Sequence, residues 1–170
     1  MEFYEIVLAI AVLATGMVAG LFFTFSMLIM PGLSSLKDRE YIKAFQAIDR
    51  ILQSNAPAVG TQPFFAVVFF GAMAALVAAL ILGFGYLDAM GLMLIGAAVL
   101  VYGIGMLLPT GMVNLPLNNK IQTYDADAMS EQELKAARLG FEPRWNRANM
   151  LRTVASTTTA ALLVALMVQL

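Results

Sequence analysis

The chain has 170 residues, 61% of them hydrophobic and 12% charged, with a mean hydropathy of +0.82; a soluble domain would be nearer a quarter charged, so this composition reads as an integral membrane protein. With neither Cys nor His, disulfides, thiolate chemistry, zinc sites, imidazole-ligated haem and His-based triads are excluded. A net charge of -1 without a large basic patch argues against nucleic acid as a partner.

The opening Met-Glu-Phe-Tyr-Glu lacks the basic n-region and cleavage site of a signal peptide, so the first apolar run is expected to be retained. A first span is expected over about 6–30, stopped by Pro31-Gly32. Within it Gly16, Gly20 and Thr24 repeat every four residues, a small-residue ridge of the kind that admits a neighbouring helix. Phe22, Phe23, Phe25 and Ser26 form a cluster near its end. Residues 34–54 then read as an amphipathic interfacial helix, with Tyr41, Phe45, Ile48 and Leu52 on its apolar face and Arg39, Lys43, Gln46, Arg50 and Gln53 opposite. Asp49 breaks that pattern by falling within the apolar arc, where an Arg partner would be the natural compensation.

Asn55 to Pro63 reads as a turn region, and 64–82 as a second span without polar side chains. A short connection leads to a third span, 89–113, rich in Gly (Gly91, Gly96, Gly103, Gly105) and carrying Pro109 near its end. Asn114-Leu-Pro-Leu-Asn118-Asn119 comes next, as a turn where the chain leaves the membrane. Ser130 and Glu133 form a capping box for a short surface helix over about 131–139, ended by Gly140. A fourth span occupies 147–169. Ahead of and within it Trp145, Asn149, Arg152, Ser156 and Thr159 step by four, three, four and three residues, placing a ring, an amide, a guanidinium and two hydroxyls on one stripe. Such a stripe turns into the bundle, because unpaired polar groups in hydrocarbon cost several kcal/mol.

The fold class is therefore all-α, a membrane four-helix bundle in one domain over 1–170 with an interfacial helix between spans one and two. Eight of the ten Lys and Arg fall in the segments between spans one and two and between three and four, and the other two, Arg147 and Arg152, lie at the start of span four on the same side. By the positive-inside rule 31–63 and 114–146 are expected to be cytoplasmic, with both termini outside a cell inner membrane. The polar segments then meet at one end of the bundle around an apolar, amide-lined pocket for a flat, hydrophobic, oxygenated small molecule. Arg152 and Asp49 are the candidate oxyanion holder and base. Gln46, Arg50, Asn114, Asn118, Trp145, Asn149 and Ser26 are the candidate binding groups. The purely structural alternative pairs Arg152 with Asp49 and leaves the amides to cap helices.

Gly20-Leu-Phe-Phe-Thr-Phe-Ser26, Met30-Pro-Gly-Leu33, Phe45-Gln-Ala-Ile-Asp-Arg50, Asn114-Leu-Pro-Leu-Asn118 and Trp145-Asn-Arg-Ala-Asn-Met-Leu-Arg152 occur in order along essentially the whole chain. Together they resemble the anthrone oxygenase-like family of small four-helix membrane proteins. The resemblance implies oxidation of an anthrone methylene to a carbonyl with neither metal nor flavin, so no cofactor is expected. Asp49 stands where the family commonly has Asn, and Phe141 near where it often has a further Trp. A mechanism consistent with both the residues and the resemblance is base-assisted enolate formation and then direct reaction with dioxygen. Two alternatives stay open: a non-catalytic membrane scaffold or subunit whose Gly-ridged helices form a homo-oligomer, and a haem- or quinone-binding redox protein using Met ligands. Transport is disfavoured because spans two and three have no charged or amide side chain within them.

Overall fold

A computed structural model describes residues 2–53 and 61–170. Five helices account for most of these residues: α1 (Phe3–Ser34), α2 (Asp38–Gln53), α3 (Thr61–Gly83), α4 (Ala89–Gln122) and α5 (Glu131–Val168). Four of them, all but α2, are long and apolar enough to cross a membrane. The turn expected between Asn55 and Gly60 lies outside the described residues; Thr61 to Pro63 already belong to α3.

Along α1 the buried residues Tyr4, Leu8, Ala11, Thr15, Val18 and Phe22 alternate spacings of four and three. This is the repeat that keeps one face of a helix on its partners. It packs on Ala72, Leu76 and Ala79 of α3, Ile95, Ala98, Tyr102 and Met106 of α4, and Leu163 and Leu166 of α5. The contacts run α1 to α3 to α4 to α5 and back to α1, closing a four-helix ring. Ile6, Ile10, Leu13 and Met17 lie on the outer face of α1 and are exposed, as suits side chains facing hydrocarbon.

Three of the spans outrun this ring. Pro31-Gly32 does not stop α1, which continues to Ser34; the Asn114 to Asn119 segment is not a turn but the last part of α4; and α5 runs unbroken through Gly140 and Pro143. The capping box is as read, with Ser130 accepting from the Glu133 amide and Glu133 from that of Ser130. Gly140 simply fails to end the helix, because Leu134, Phe141 and Trp145 on either side of it carry a buried face that continues on other partners. There α2 takes the place of α3. Tyr41, Ile42 and Phe45 of α2, Leu117 and Ile121 of α4, and Leu134, Phe141 and Trp145 of α5 make a second apolar core. Polar contacts lash this layer together. Arg138 of α5 donates to the carbonyls of Ser34 and Leu36 and to Asp38 and Glu142, and Arg39 of α2 donates to the carbonyls of Ala126 and Met129 and pairs with Glu131.

The Gly16, Gly20, Thr24 ridge does not pack inside the molecule. Gly16 and Gly20 have no side-chain neighbours and lie on the outer side of the helix, because the heptad-like face one step around α1 took the interior. The close helix approach occurs instead at Gly105 of α4, where an added Cβ would sit 2.5 Å from the Ala155 Cβ of α5. Gly105→Ala is expected to force α4 and α5 apart at a cost of about 1–3 kcal/mol, the usual range for overpacking. It should lower the melting temperature in detergent, while Gly16→Ala on the outer face, where the added methyl meets nothing, should not lower it.

Candidate functional site

The helices leave α-geometry where the two cores meet. α1 has a π-helical turn at Phe25–Ile29, and α4 has two, at Gly103–Leu107 and Thr110–Asn114, on either side of Pro109. Proline removes one backbone donor and crowds the carbonyl four residues back; widening the helix is one way to absorb that, and single π turns recur at functional sites. The extra residue per turn rotates the downstream part of the helix, so that Thr110 and Asn114 of α4 both face inward.

These turns surround a cavity of about 130 Å³. Its apolar wall comes from Leu21, Phe22 and Phe25 of α1, Leu52 of α2, and Phe65 and Phe69 of α3. Its polar wall comes from Asp49, Thr110, Asn114, Asn118, Trp145, Asn149 and Arg152. The stripe on α5 is buried throughout: Trp145, Asn149, Arg152, Ser156 and Thr159 all lie within the bundle.

Arg152 is 5% exposed. Its guanidinium carbon lies 4.2 Å from the centre of the Phe22 ring and 5.4 Å from that of Trp145, which is cation–π range. Nη2 donates to Asn149 Oδ1 at 2.7 Å and Nη1 to the Thr110 hydroxyl at 3.4 Å, while Nε has no partner among the described residues. No carboxylate among those residues pairs with it. Asn149 is itself fixed by donating to the Phe22 carbonyl (3.1 Å) and to Ser26 Oγ (2.7 Å) at the start of the α1 π turn.

Asp49 is 1% exposed and turned inward, as its position in the apolar arc of α2 indicates. Its partners include Asn118 Nδ2 and Gln122 Nε2, each donating at 2.8 Å. The Asn118 carbonyl in turn accepts from the Trp145 indole nitrogen at 2.7 Å. Asp49 and Arg152 therefore line one cavity without forming the ion pair of the structural alternative.

The structure brings together six of the nine expected site residues: Asp49, Arg152, Asn114, Asn118, Trp145 and Asn149. Gln46, Arg50 and Ser26 do not line the cavity. Gln46 sits on the buried side of α2, not the polar face expected of it, and donates to the carbonyls of Ile121 and Tyr124, docking α2 on the end of α4. Arg50 is exposed and its Nε donates back to the Gln46 carbonyl. Ser26 faces a second hollow and orients Asn149 from behind. Thr110 and Gln122 were not foreseen. Gln122 lies four residues after Asn118, which would have been the signal had 114–119 been read as helix. Phe141 stacks on Trp145 and meets the rings of Phe45 and Tyr41 edge-on. Among the described residues no three carboxylates come together as a metal site would require.

A model of the family described as anthrone oxygenase matches residues 64–162, more than half of the chain. No curated protein matches the chain, and no solved structure does. The matched region holds α3 from its fourth residue, all of α4 and the polar stripe of α5, but neither α1 nor α2.

Asn118→Leu is expected to strip both the Trp145 indole and Asp49 of a buried partner. At about 1–3 kcal/mol per unsatisfied group, the melting temperature in detergent should fall by roughly 5–10 °C. Lys120→Ala, two residues on and exposed, should leave it unchanged.

Proposed function

The chain belongs to the anthrone oxygenase family, and on that premise we propose that it is a membrane-embedded oxygenase-like protein that oxidises a flat, hydrophobic aromatic ketone of the anthrone type. The observation that carries the reading is Arg152. It is a guanidinium buried against two aromatic faces, with a free Nε–H and no acid among its partners in the described residues, a setting that favours an anion supplied by a ligand.

Asp49 acts as the base in this scheme. It takes a proton from the methylene beside the aromatic rings, and the enolate oxygen is held by Arg152 with the Asn114 amide nearby. The electron-rich carbon adds dioxygen, the peroxide takes back the proton from Asp49, and loss of the second C–H proton with cleavage of the O–O bond leaves a carbonyl and water. Atoms balance as CH2 + O2 giving C=O + H2O. Phe22, Phe25 and Trp145 supply the faces between which a planar ring system lies. A cavity of about 130 Å³ is close to the engineered void of about 150 Å³ that takes benzene. A fused-ring ligand therefore needs the rim of Leu21, Leu52, Phe65 and Phe69 to part. In this reading the site opens at the cytoplasmic end of the bundle, the side to which the distribution of Lys and Arg assigns 31–63 and 114–146.

The test is oxygen uptake by the detergent-purified protein with anthrone added. Arg152→Met is expected to lower kcat by about 10²–10³, as loss of an oxyanion donor does, and Asp49→Asn by about 10²–10⁴, as loss of a general base does. Arg152→Met should not lower the melting temperature, since it removes a buried charge that lacks an ionic partner among the described residues. Full activity in both variants would sink the proposal. A second measurement is the visible spectrum and metal content of the active protein: the scheme predicts neither an absorption band nor a stoichiometric metal, and a Soret band would redirect attention to the methionines.

A further inference from the structure

On the outer surface of the bundle a trough of about 780 Å³ runs between α4 and α5. Ile104, Leu108 and Met112 of α4, four residues apart, form one bank and are 51–69% exposed. Leu151 stands on the other bank, and the small Ala148 makes the floor. The sequence spacing along α4 makes the trough about 12 Å long at 1.5 Å per residue. At its polar end Arg144 and Arg147, three residues apart and hence on one face of α5, line the same trough. A smaller hollow continues outward from Arg144 to Lys120.

The charges here differ from those of the neighbouring layer. Arg39, Lys43 and Arg138 each hold an acidic partner, whereas Lys120, Arg144 and Arg147 form no ion pair among the described residues. No Asp or Glu lines either hollow. An apolar trough along a membrane span that ends on two unpaired guanidiniums matches a molecule with a hydrocarbon tail and an anionic oxygen-rich head. A second copy of the chain seated here by twofold symmetry would meet no acidic residue from this same surface.

We propose that this trough is a binding site for an anionic phospholipid, with an acyl chain along Ile104, Leu108 and Met112 and the phosphate held by Arg144 and Arg147. Lys120 stands beyond them for a second headgroup charge. The site is separate from the buried cavity and does not rest on the oxygenase reading; none of its residues lines that cavity.

The test uses the full chain in a neutral detergent. Phosphatidylglycerol or phosphatidylcholine with the same acyl chains is titrated in, with the melting temperature and the lipid adducts retained in native mass spectrometry as readouts. The expected result is that phosphatidylglycerol stabilises more than phosphatidylcholine and is retained as an adduct. The Arg144→Gln/Arg147→Gln double variant should retain it roughly thirtyfold more weakly, given roughly 1 kcal/mol for each of two basic residues at a lipid surface. Lys135→Gln, an exposed cation outside the trough, should behave as wild type. If the double variant does not fold, Arg147→Gln alone should show an intermediate loss. Equal effects of the two lipids, an undiminished phosphatidylglycerol effect in the arginine variants, or the same stabilisation by inorganic phosphate alone would each overturn the proposal.

Discussion

A guanidinium buried in the middle of a helix bundle is the constraint around which the other features arrange themselves. Desolvating such a charge costs several kcal/mol even after relaxation. Arg152 recovers part of this through two ring faces and the oxygens of Asn149 and Thr110. Each of these partners needs its own support. Asn149 is anchored on α1 at Ser26 and the Phe22 carbonyl, and Thr110 is turned inward by a π turn after Pro109. The irregularities of α1 and α4 thus lie at the level of one side chain of α5.

The two-layer build has the same origin. A four-helix ring of apolar spans has no room for a carboxylate and a row of amides within hydrocarbon. Carrying α1, α4 and α5 beyond the ring and exchanging α3 for the amphipathic α2 creates a second core whose outer surface is charged. The seam between the cores is apolar where α1 and α3 line it and mainly polar where α4, α5 and Asp49 of α2 do, the mixed lining usual in small-molecule pockets.

Much of this was legible in the residues. The four spans and the amphipathic segment came from hydropathy and charge. The inward stripe from Trp145 to Thr159 came from spacings of four and three, and Asp49 stood out as a carboxylate in an apolar arc. Local signals mislead where they yield to packing. Gly140, Pro143, Pro31 and the Asn-Pro segment at 114–116 are all stop signals by propensity, and all lie inside helices because Trp145, Leu33, Leu117 and Ile121 bury apolar surface on the second core. A turn at 114–119 would separate Asn118 from Gln122, whereas the helix sets both on Asp49. An amide looks polar in isolation, which puts Gln46 on the wetter face of α2, yet it is the clasp between α2 and the carbonyl end of α4.

Asp49 and Arg152 pose the last question, since opposite charges lining one small cavity would gain most by meeting. They do not meet, because their neighbours hold them apart. Trp145 and Gln122 tie Asn118 and Asp49 to the α4 end of the cavity, while Asn149 and the Phe22 face draw Arg152 toward α1. A fold selected only for stability would close that gap with a direct ion pair or replace both groups with hydrocarbon. Keeping the carboxylate and the guanidinium on separate supports around one cavity is the kind of local departure from maximal stability that proteins carry at functional sites.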